Sequence, residues 1–383
     1  MDEKRILVSP EMIYREMVRD FNDPEGAVGL VLGADFFYDE EQKINLGNFP
    51  GIEDIPYLTE DSLKYFSDDG FIYFDRSVDY SAKRDYFENL KSYLISKKDR
   101  TFYNQLAQLP FSLIISLSPD DFMHQAYNEI GKPHYFYYYI TGKEGGAGQF
   151  KLPSSESDSG KPVDEAIKIN QKIGADKKKP LILNMFGHFD NQESLLLTHD
   201  KFFEYLHSSP IDEIPDNIRA NIKTNITSFL IIGTHFNKWY LRFLFFLLYR
   251  LKPGIGTRAI FNYSEKYSNE LDFYYTIFQM RFSKTDNIEF INGLYEDCKT
   301  KGLISKDTLQ QSKEAEIKNL FKFGDLAACL ALAEKQYPEK SKEIINMLGR
   351  YNDNERHPER ITYEQTKENI RTDMQNEIPC LNS

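Results

Sequence analysis

Two apolar segments separated by a short turn constrain the fold of this chain more than any other feature. Residues 229–232 form a continuous apolar run that stops at Gly233, which is typical of a strand buried on both faces of a parallel sheet. Residues 239–251 are apolar on nearly every side, which predicts a buried helix. This segment is too short for a membrane span, which needs roughly 20 apolar residues, and it carries Arg242 and Arg250. We expect a core strand and a core helix, with any functional residues in the turn between them.

Further short apolar runs predict the rest of a sheet. We expect buried strands at residues 27–32, 113–116, 134–140 and 181–186, with 259–261 and 288–291 as candidates that complete the sheet. Segments with helical spacing of apolar residues alternate with these runs, which is typical of a doubly wound domain. The predicted fold class is α/β, a Rossmann-like parallel sheet with helices on both faces.

The pattern changes after residue 299, where the strand-like runs end and only helical spacing remains. Asp325 and Thr362 stand where helices begin, because their side chains can cap the first turn. These features predict a small C-terminal all-α bundle. The chain is therefore expected to contain an α/β domain at residues 1–298 and a helical domain at residues 312–383, joined by a polar segment.

Charge and cysteine content limit the classes of partner. The net charge is -12 and the pI is about 5.2, which argues against direct binding to nucleic acid or to an anionic membrane. Cys298, Cys329 and Cys380 show no metal-ligand spacing and no pairing pattern, as expected in a reducing cytosol. The first residues lack the apolar core of a signal peptide. We expect a cytoplasmic protein without a metal site.

The turn after the first predicted strand is the first candidate ligand site. Gly33, Ala34 and Asp35 follow residues 27–32, and a small-residue turn at a strand end lets backbone N–H groups approach a nucleotide phosphate. An ordinary exit from a strand into a loop explains the same residues, so both interpretations of this turn stay open.

Four motifs, in this order along the chain, resemble the sirtuin-like NAD-consuming superfamily in its bacterial anti-phage branch. They are the glycine turn after the first strand, LPFSLIISLSPDD at residues 109–121, ILNMFGHFDNQESLLLTHDKFFEYL at 182–206 and FLIIGTHFNKWYLRFL at 229–244. The resemblance extends over about residues 10–295. Separately, residues 317–377 resemble a bacterial effector-associated domain, a death-like helical adaptor that recruits partner proteins. The runs NLFKFGDLAACLALAEK, MLGRYND and ITYEQ carry that second resemblance.

The resemblance implies a nucleotide site at the ends of the strands, for NAD or an NAD-derived nucleotide and without a metal. It implies that the cofactor contacts are Gly33, Ala34, Asp35, Ser116, Ser118, Gly187, Gly233, Thr234 and His235. If the protein is an enzyme, the candidate catalytic residues are His188, Ser118 and Asp120.

The sequence departs from the pattern of active members of the superfamily. Asp35 and Phe37 replace the second glycine and the serine of Gly-Ala-Gly-x-Ser, and the Asp adds negative charge where a pyrophosphate would lie. Ser118 stands where active members have the asparagine of a Thr-Asn-x-Asp motif. Phe186 stands where they have a histidine, directly before the motif glycine that is Gly187 here. Cleavage of the nicotinamide–ribose bond needs groups that orient the ribose and transfer protons, so these replacements remove the recognised machinery.

Two functional hypotheses follow. In the first, the chain is a degenerate sirtuin-like module of a bacterial conflict or anti-phage system, which binds a nucleotide or oligomerises. It then recruits a partner carrying a cognate effector-associated domain through its helical tail. In the second, the chain is an NAD+ hydrolase that depletes cellular NAD through substituted residues such as Ser118, Asp120, His188 and His235.

The hypotheses differ in whether these substituted residues converge in one pocket beside Gly33 and Gly233. We also expect the α/β domain to form a homo-oligomer, because aromatic residues are abundant in residues 239–246. Four individual histidines are expected at the surface: His124, His199, His207 and His357.

Overall fold

The computed structural model describes residues 6–33, 78–96, 101–141, 149–151, 177–207, 216–234, 238–252, 256–261, 269–304, 325–355 and 363–381, with a few single residues between these ranges. The chain divides into two compact units. The first comprises Met1–Tyr127 and Lys132–Leu303, and the second comprises Asn128–Gly131 and Ile304–Ser383.

One eight-stranded sheet organises the first unit. Its strands are β1 (Ala27–Leu32), β2 (Leu113–Ser116), β3 (Tyr135–Ile140), β4 (Gln149–Lys151), β5 (Leu181–Asn184), β6 (Ile226–Ile232), β7 (Gly256–Phe261) and β8 (Met280–Lys284). They lie in the order β4-β3-β5-β2-β1-β6-β7-β8. Every pair is parallel except β3 with the edge strand β4. The predicted α/β Rossmann-like fold is confirmed.

Nine described helices belong to the first unit. They are α1 (Pro10–Asn22), α2 (Tyr80–Ser96), α3 (Thr101–Gln108), α4 (Phe122–Glu129), α5 (His199–His207), α6 (Asp216–Asn225), α7 (Trp239–Leu251), α8 (Asn269–Phe278) and α9 (Asn287–Thr300). Ile115, Leu183 and Ile231 face one side of the sheet, where they share an apolar core with Phe202 of α5 and Leu244 of α7. On the other side, α1 packs against β1 and β8, and α9 packs against α1, α3 and β7.

The direction of strand order reverses at β1. From β1 the chain moves to β2 on one side and reaches β6 on the other side only later. In parallel α/β sheets, the crevice at the carboxyl ends of strands on either side of such a switch is the usual ligand site. The turns after β1, β2, β5 and β6 therefore share one edge of the sheet.

Two sequence-based element assignments were wrong. Residues 288–291, expected as a strand, form the first turns of α9, and the strand that completes this side of the sheet is β8. The reason is a helix cap, because the carboxylate of Asp286 accepts hydrogen bonds from the backbone N–H groups of Ile288 and Glu289. The three leucines at residues 195–197 also predict a short strand from the sequence, but they form no strand, and α5 begins at His199.

The second unit contains α10 (Leu326–Gln336), α11 (Ser341–Glu355) and α12 (Tyr363–Glu377). The Asp325 carboxylate accepts a hydrogen bond from the Ala328 N–H and caps α10, as predicted. Leu330, Ile344 and Ile370, one from each helix, lie in a single buried apolar cluster. Within the part of the chain that the structure describes, no helix of either unit has the length and apolar character needed to cross a membrane.

Candidate functional site

The turns that follow β1 and β6 touch each other at the carboxyl edge of the sheet. The backbone N–H of Gly33 donates to the carbonyl of Ile232 at 2.9 Å. A methyl group on Gly33 would overlap the Gly233 carbonyl, so glycine is required here for close approach of the two backbones. Thr234 follows, and its buried Oγ1 has no hydrogen-bond partner among the residues that the structure describes. A buried hydroxyl without a partner at a strand end is available to a ligand.

Ser116 and Ser118 shape the turn that follows β2. The Ser116 hydroxyl lies 3.3 Å from both the N–H and the carbonyl of Ser118. The Ser118 hydroxyl donates to the carboxylate of Asp120, whose other oxygen accepts the backbone N–H of Phe122 at 3.0 Å. Both side chains are buried. The Ser118 hydroxyl proton is thus committed to Asp120, and Asp120 is held at the beginning of α4.

Asn184, the last residue of β5, is a site residue that the sequence reasoning missed. Its side chain is fully buried, and its Nδ2 donates to the backbone carbonyl of Asp120 at 2.7 Å. Its Oδ1 has no hydrogen-bond partner in the described part of the chain. The only sequence signal was an amide at the end of an otherwise apolar strand. Asn184 supports the turn that carries Asp120 and leaves one acceptor unused beside it.

Gly187 and His188 form a tight turn beyond β5. Gly187 has φ +86°, and a methyl group there would overlap the Ser194 carbonyl, so the turn requires glycine. The His188 N–H donates to Ser194 Oγ at 2.9 Å. The buried His188 ring stacks on Tyr138, with ring centroids 5.2 Å apart. These contacts fix the orientation of the imidazole.

A cavity of about 180 Å³ lies between the turns that follow β2 and β5. Its charged lining comprises Asp120, Asp121, Asp190 and Lys91, and His188 also lines it. Three carboxylates oppose one ammonium group, so the cavity favours a ligand group that is cationic or donates hydrogen bonds over a phosphate.

Three groups of this cavity have shifted pKa values. The Lys91 ammonium lies 2.8 Å from the Asp190 carboxylate; this contact lowers the pKa of Asp190 and raises that of Lys91. Burial lowers the pKa of His188, and the nearby carboxylates of Asp121 and Asp190 oppose this shift only in part. His188 is therefore mainly neutral near pH 7.

Phe186 points into the apolar core and away from this cavity. It is 5% exposed, and its ring lies 6.2 Å from that of Tyr240, 6.3 Å from Phe202 and 6.4 Å from Tyr205. Phe71 stacks on Phe202 at 4.4 Å and completes this aromatic cluster. By the resemblance, active relatives have a histidine at this position, which is here filled by a core side chain. His188 faces the opposite side of the sheet, together with Phe136 and Tyr138.

The candidate residues converge in part. The structure brings Asp120 and His188 to one cavity, with Ser118 attached through its hydrogen bond to Asp120. Gly33, Gly233 and Thr234 lie along the same edge at β1 and β6, and none of the three lines that cavity. Ala34, Asp35 and His235 lie outside the described residues, as does Phe37.

Two histidines expected at the surface are buried, which corrects the sequence interpretation. His124 is 7% exposed and His199 is 6% exposed. His124 Nδ1 lies 2.7 Å from His134 Nε2, and its ring stacks on Phe136. His199 packs edge-on against Phe71. Among the described residues, no group of three or more His, Cys, Asp or Glu side chains is arranged to hold a metal ion.

Comparison with known proteins agrees with this geometry. Residues 112–291 match the family model of the SIR2-like domain. The match runs from the residue before β2 into α9 and includes the turns that carry Ser118, His188 and Gly233. It supports a sirtuin-like domain in this part of the chain, and such a domain fits a nucleotide-binding module. A search of curated proteins found no significant match.

Proposed function

We propose that the α/β unit binds NAD or an NAD-derived nucleotide at the carboxyl edge of its sheet without hydrolysing it. The observation that carries this proposal is the burial of Phe186 in the aromatic cluster. A phenyl ring offers packing but no proton and no hydrogen bond, so the position where active relatives have histidine cannot take part in acid–base chemistry.

Nucleotide binding is supported by the edge formed by β1, β2, β5 and β6. The glycine contact between Gly33 and Gly233 keeps side chains away from the turn, so a ligand can approach the backbone there. Thr234 Oγ1 and Asn184 Oδ1 are buried and have no partner among the described residues, and hydroxyl groups of a ribose would satisfy atoms of this kind.

One observation favours the alternative, an NAD+ hydrolase. Asp120 and His188 share one cavity, and a carboxylate together with an imidazole is a common acid–base pair. Against this, the Asp190 N–H donates to His188 Nδ1 at 3.2 Å, so that nitrogen is already used as an acceptor. The Ser118 hydroxyl is also occupied, because it donates its proton to the Asp120 carboxylate.

The test combines calorimetry with NAD and a chromatographic assay for nicotinamide release, both on the full chain. We expect saturable binding without release. Thr234→Val keeps the shape of the side chain and should weaken binding by about three- to tenfold, the value of one neutral hydrogen bond. Thr276→Val, on the exposed side of α8, is the matched control. Rapid release that disappears in His188→Gln would overturn the proposal and establish the hydrolase.

We further propose that the helical unit is an adaptor that recruits a partner with a cognate effector-associated domain, within a cytoplasmic bacterial defence system. Ile345 on α11 is 50% exposed and is a candidate contact, because large exposed apolar side chains are typical of interfaces. In a pulldown with an effector encoded next to this gene, Ile345→Asp should lose the partner and Lys342→Ala should retain it. Equal capture by both variants would exclude this contact.

Self-association of the α/β unit is also a proposal. Tyr240 belongs to the core, but Trp239 and Phe246 on α7 are 38% and 49% exposed, and Phe273 and Ile277 on α8 are 39% and 45% exposed. Arg242 lies over the Phe273 ring, so these two helices contribute to one apolar surface. Sedimentation should show an oligomer that Phe246→Glu dissociates, and a monomeric parent protein would contradict the proposal.

A further inference from the structure

A second cavity of the α/β unit lies between α2 and the segment that leads into α5. Its volume is about 320 Å³, within the range of small-molecule sites, about 300–1,000 Å³. None of the candidate cofactor-binding or catalytic residues lines it. The kind of ligand that it can bind therefore depends on its own lining residues.

Two polar contacts separate this cavity from the one that contains His188. The Glu88 carboxylate of α2 accepts a hydrogen bond from Gln192 Nε2 at 3.0 Å. One turn further along α2, Lys91 contacts Asp190 at 2.8 Å. Both contacts tie α2 to the loop between β5 and α5, so the two cavities lie on either side of them.

The charged residues of the second cavity lie on opposite walls. Lys83 and Arg84 come from α2, whereas Glu193 and Asp200 come from the segment before α5 and from its first turn. Lys201 and Glu204, which also line the cavity, form an ion pair with each other at 2.7 Å. Arg84 contacts the exposed carboxylate of Asp85, outside the cavity, at 3.5 Å, so Lys83 is the main cation of the basic wall. A ligand that bridges the cavity meets positive charge on one side and negative charge on the other.

Apolar side chains line the space between these walls. Phe87 and Leu195 are buried, and Phe74 packs edge-on against Phe87 with ring centroids 5.9 Å apart. The Lys83 ammonium lies 5.5 Å from the centroid of Phe74, so the basic wall adjoins the aromatic surface. The cavity can hold an apolar group and two opposite charges at once.

We propose that this cavity binds a small zwitterion with an apolar side chain, a free amino acid or a dipeptide. The ligand carboxylate lies against Lys83 and Arg84, its ammonium lies against Glu193 and Asp200, and its apolar group lies on Phe87 and Leu195. A nucleotide fits less well because it has no ammonium group to balance the carboxylates of the acidic wall. The proposal is independent of nucleotide binding at the strand ends.

Trp239 provides a direct reporter, because it is the only tryptophan of the chain. Its indole packs edge-on against Phe202 of α5 at 5.7 Å, and α5 carries Asp200 and Lys201 into the cavity. The full chain is titrated with L-phenylalanine and with glycyl-L-phenylalanine, and tryptophan fluorescence and calorimetry are followed in parallel. The tighter of the two ligands identifies the source as a free amino acid or a dipeptide.

Ligand and protein variants test the two walls separately. N-acetyl-L-phenylalanine lacks the ammonium and L-phenylalaninamide lacks the carboxylate, and each should bind about fivefold more weakly, as for a half-exposed charge pair. Lys83→Ala and Asp200→Asn should weaken L-phenylalanine by a similar factor. Glu296→Gln, at an exposed position of α9 outside the cavity, makes the same acid-to-amide change as Asp200→Asn and should leave the affinity unchanged. No heat at millimolar ligand, or equal affinity for the zwitterion and both derivatives, would overturn the proposal.

Discussion

The backbone N–H of Asp190 donates a hydrogen bond to Nδ1 of His188 over 3.2 Å. Because a backbone N–H can only donate, Nδ1 is the acceptor, and this contact assigns the proton of the neutral ring to Nε2. In this state the His188 ring has a hydrogen-bond donor at Nε2, and its basic nitrogen, Nδ1, is already an acceptor for the Asp190 N–H. That geometry argues for a residue that orients a ligand.

We expect His188 to make stability depend on pH. Its pKa in the folded protein is lowered by burial, so the unfolded chain binds more protons when the pH falls towards the ordinary histidine value, about 6.5. The free energy of unfolding should therefore fall as the pH is lowered through that value. His188→Gln should flatten this dependence in urea unfolding between about pH 7.5 and about pH 5. An equal effect of His207→Gln, at the exposed end of α5, would contradict the assignment.

The aromatic cluster around Phe186 yields a second prediction. Phe186→Ala should lower the free energy of unfolding by about 3–5 kcal/mol, because it opens a cavity among Phe71, Phe202 and Tyr240. The matched control is Phe203→Ala, which removes a ring that is 56% exposed and should cost less than about 1 kcal/mol. Denaturant unfolding measures both. Similar costs for the two variants would mean that Phe186 is not a core residue.

Much of the sheet could be predicted because its central strands are apolar on both faces. The bounds of β1 and β2 and of helix α7 agree with the sequence patterns at every residue. Strand β8 could not be predicted, since Arg281 and Lys284 interrupt its apolar pattern. The run at residues 288–291 reads as a strand by composition, and only the Asp286 cap distinguishes it as a helix.

The candidate site was harder to predict because its contacts join distant parts of the chain. Asp120 and His188 meet only because β2 and β5 are neighbours, an arrangement that strand patterns do not specify. Asn184 was missed for the same reason, since its partner is the Asp120 carbonyl. The burial of His124 depends on its stacking with Phe136 of β3. Spacing along the chain contains none of this information.

The close contact between Gly33 and Gly233 leads to a third prediction. Gly33→Ala should destabilise the α/β unit by about 1–3 kcal/mol, because the new methyl group overlaps backbone that cannot move aside. Gly256→Ala is the control: its nearest neighbour would be the Ser228 Cβ at 3.8 Å, an ordinary contact. Thermal unfolding distinguishes the two variants. A tolerated Gly33→Ala would show that the turns after β1 and β6 are further apart.

The helical unit should fold without the α/β unit. Ile317, Leu330, Ile344, Ile370 and Met374 form its apolar core, and all of them lie within residues 312–383. We expect this fragment to show a helical circular dichroism spectrum and a cooperative thermal transition. Met374→Ala should abolish or lower that transition, whereas Ile345→Ala, at an exposed position of α11, should leave it nearly unchanged. A fragment without helical signal would contradict independent folding.

The last prediction concerns the buried ion pairs that join α1 to β7. The Arg258 guanidinium, with its side chain 4% exposed, contacts the carboxylates of Glu16 at 2.7 Å and Asp20 at 2.9 Å. Arg258→Met leaves both carboxylates without this partner and should cost about 3–5 kcal/mol. Arg19→Ala is the matched control, because Arg19 also contacts Asp20 but is 72% exposed, and it should cost less than about 1 kcal/mol.

Burial alone would raise the pKa of Glu16, but Arg281 and Arg258 outweigh it and lower the pKa overall. The stabilisation is therefore present above the ordinary glutamate pKa and is lost as the pH falls through the lowered value. The difference in the free energy of unfolding between the parent protein and Arg258→Met should therefore become smaller as the pH is lowered. A difference that is constant with pH would show that Arg258 stabilises the fold by packing alone.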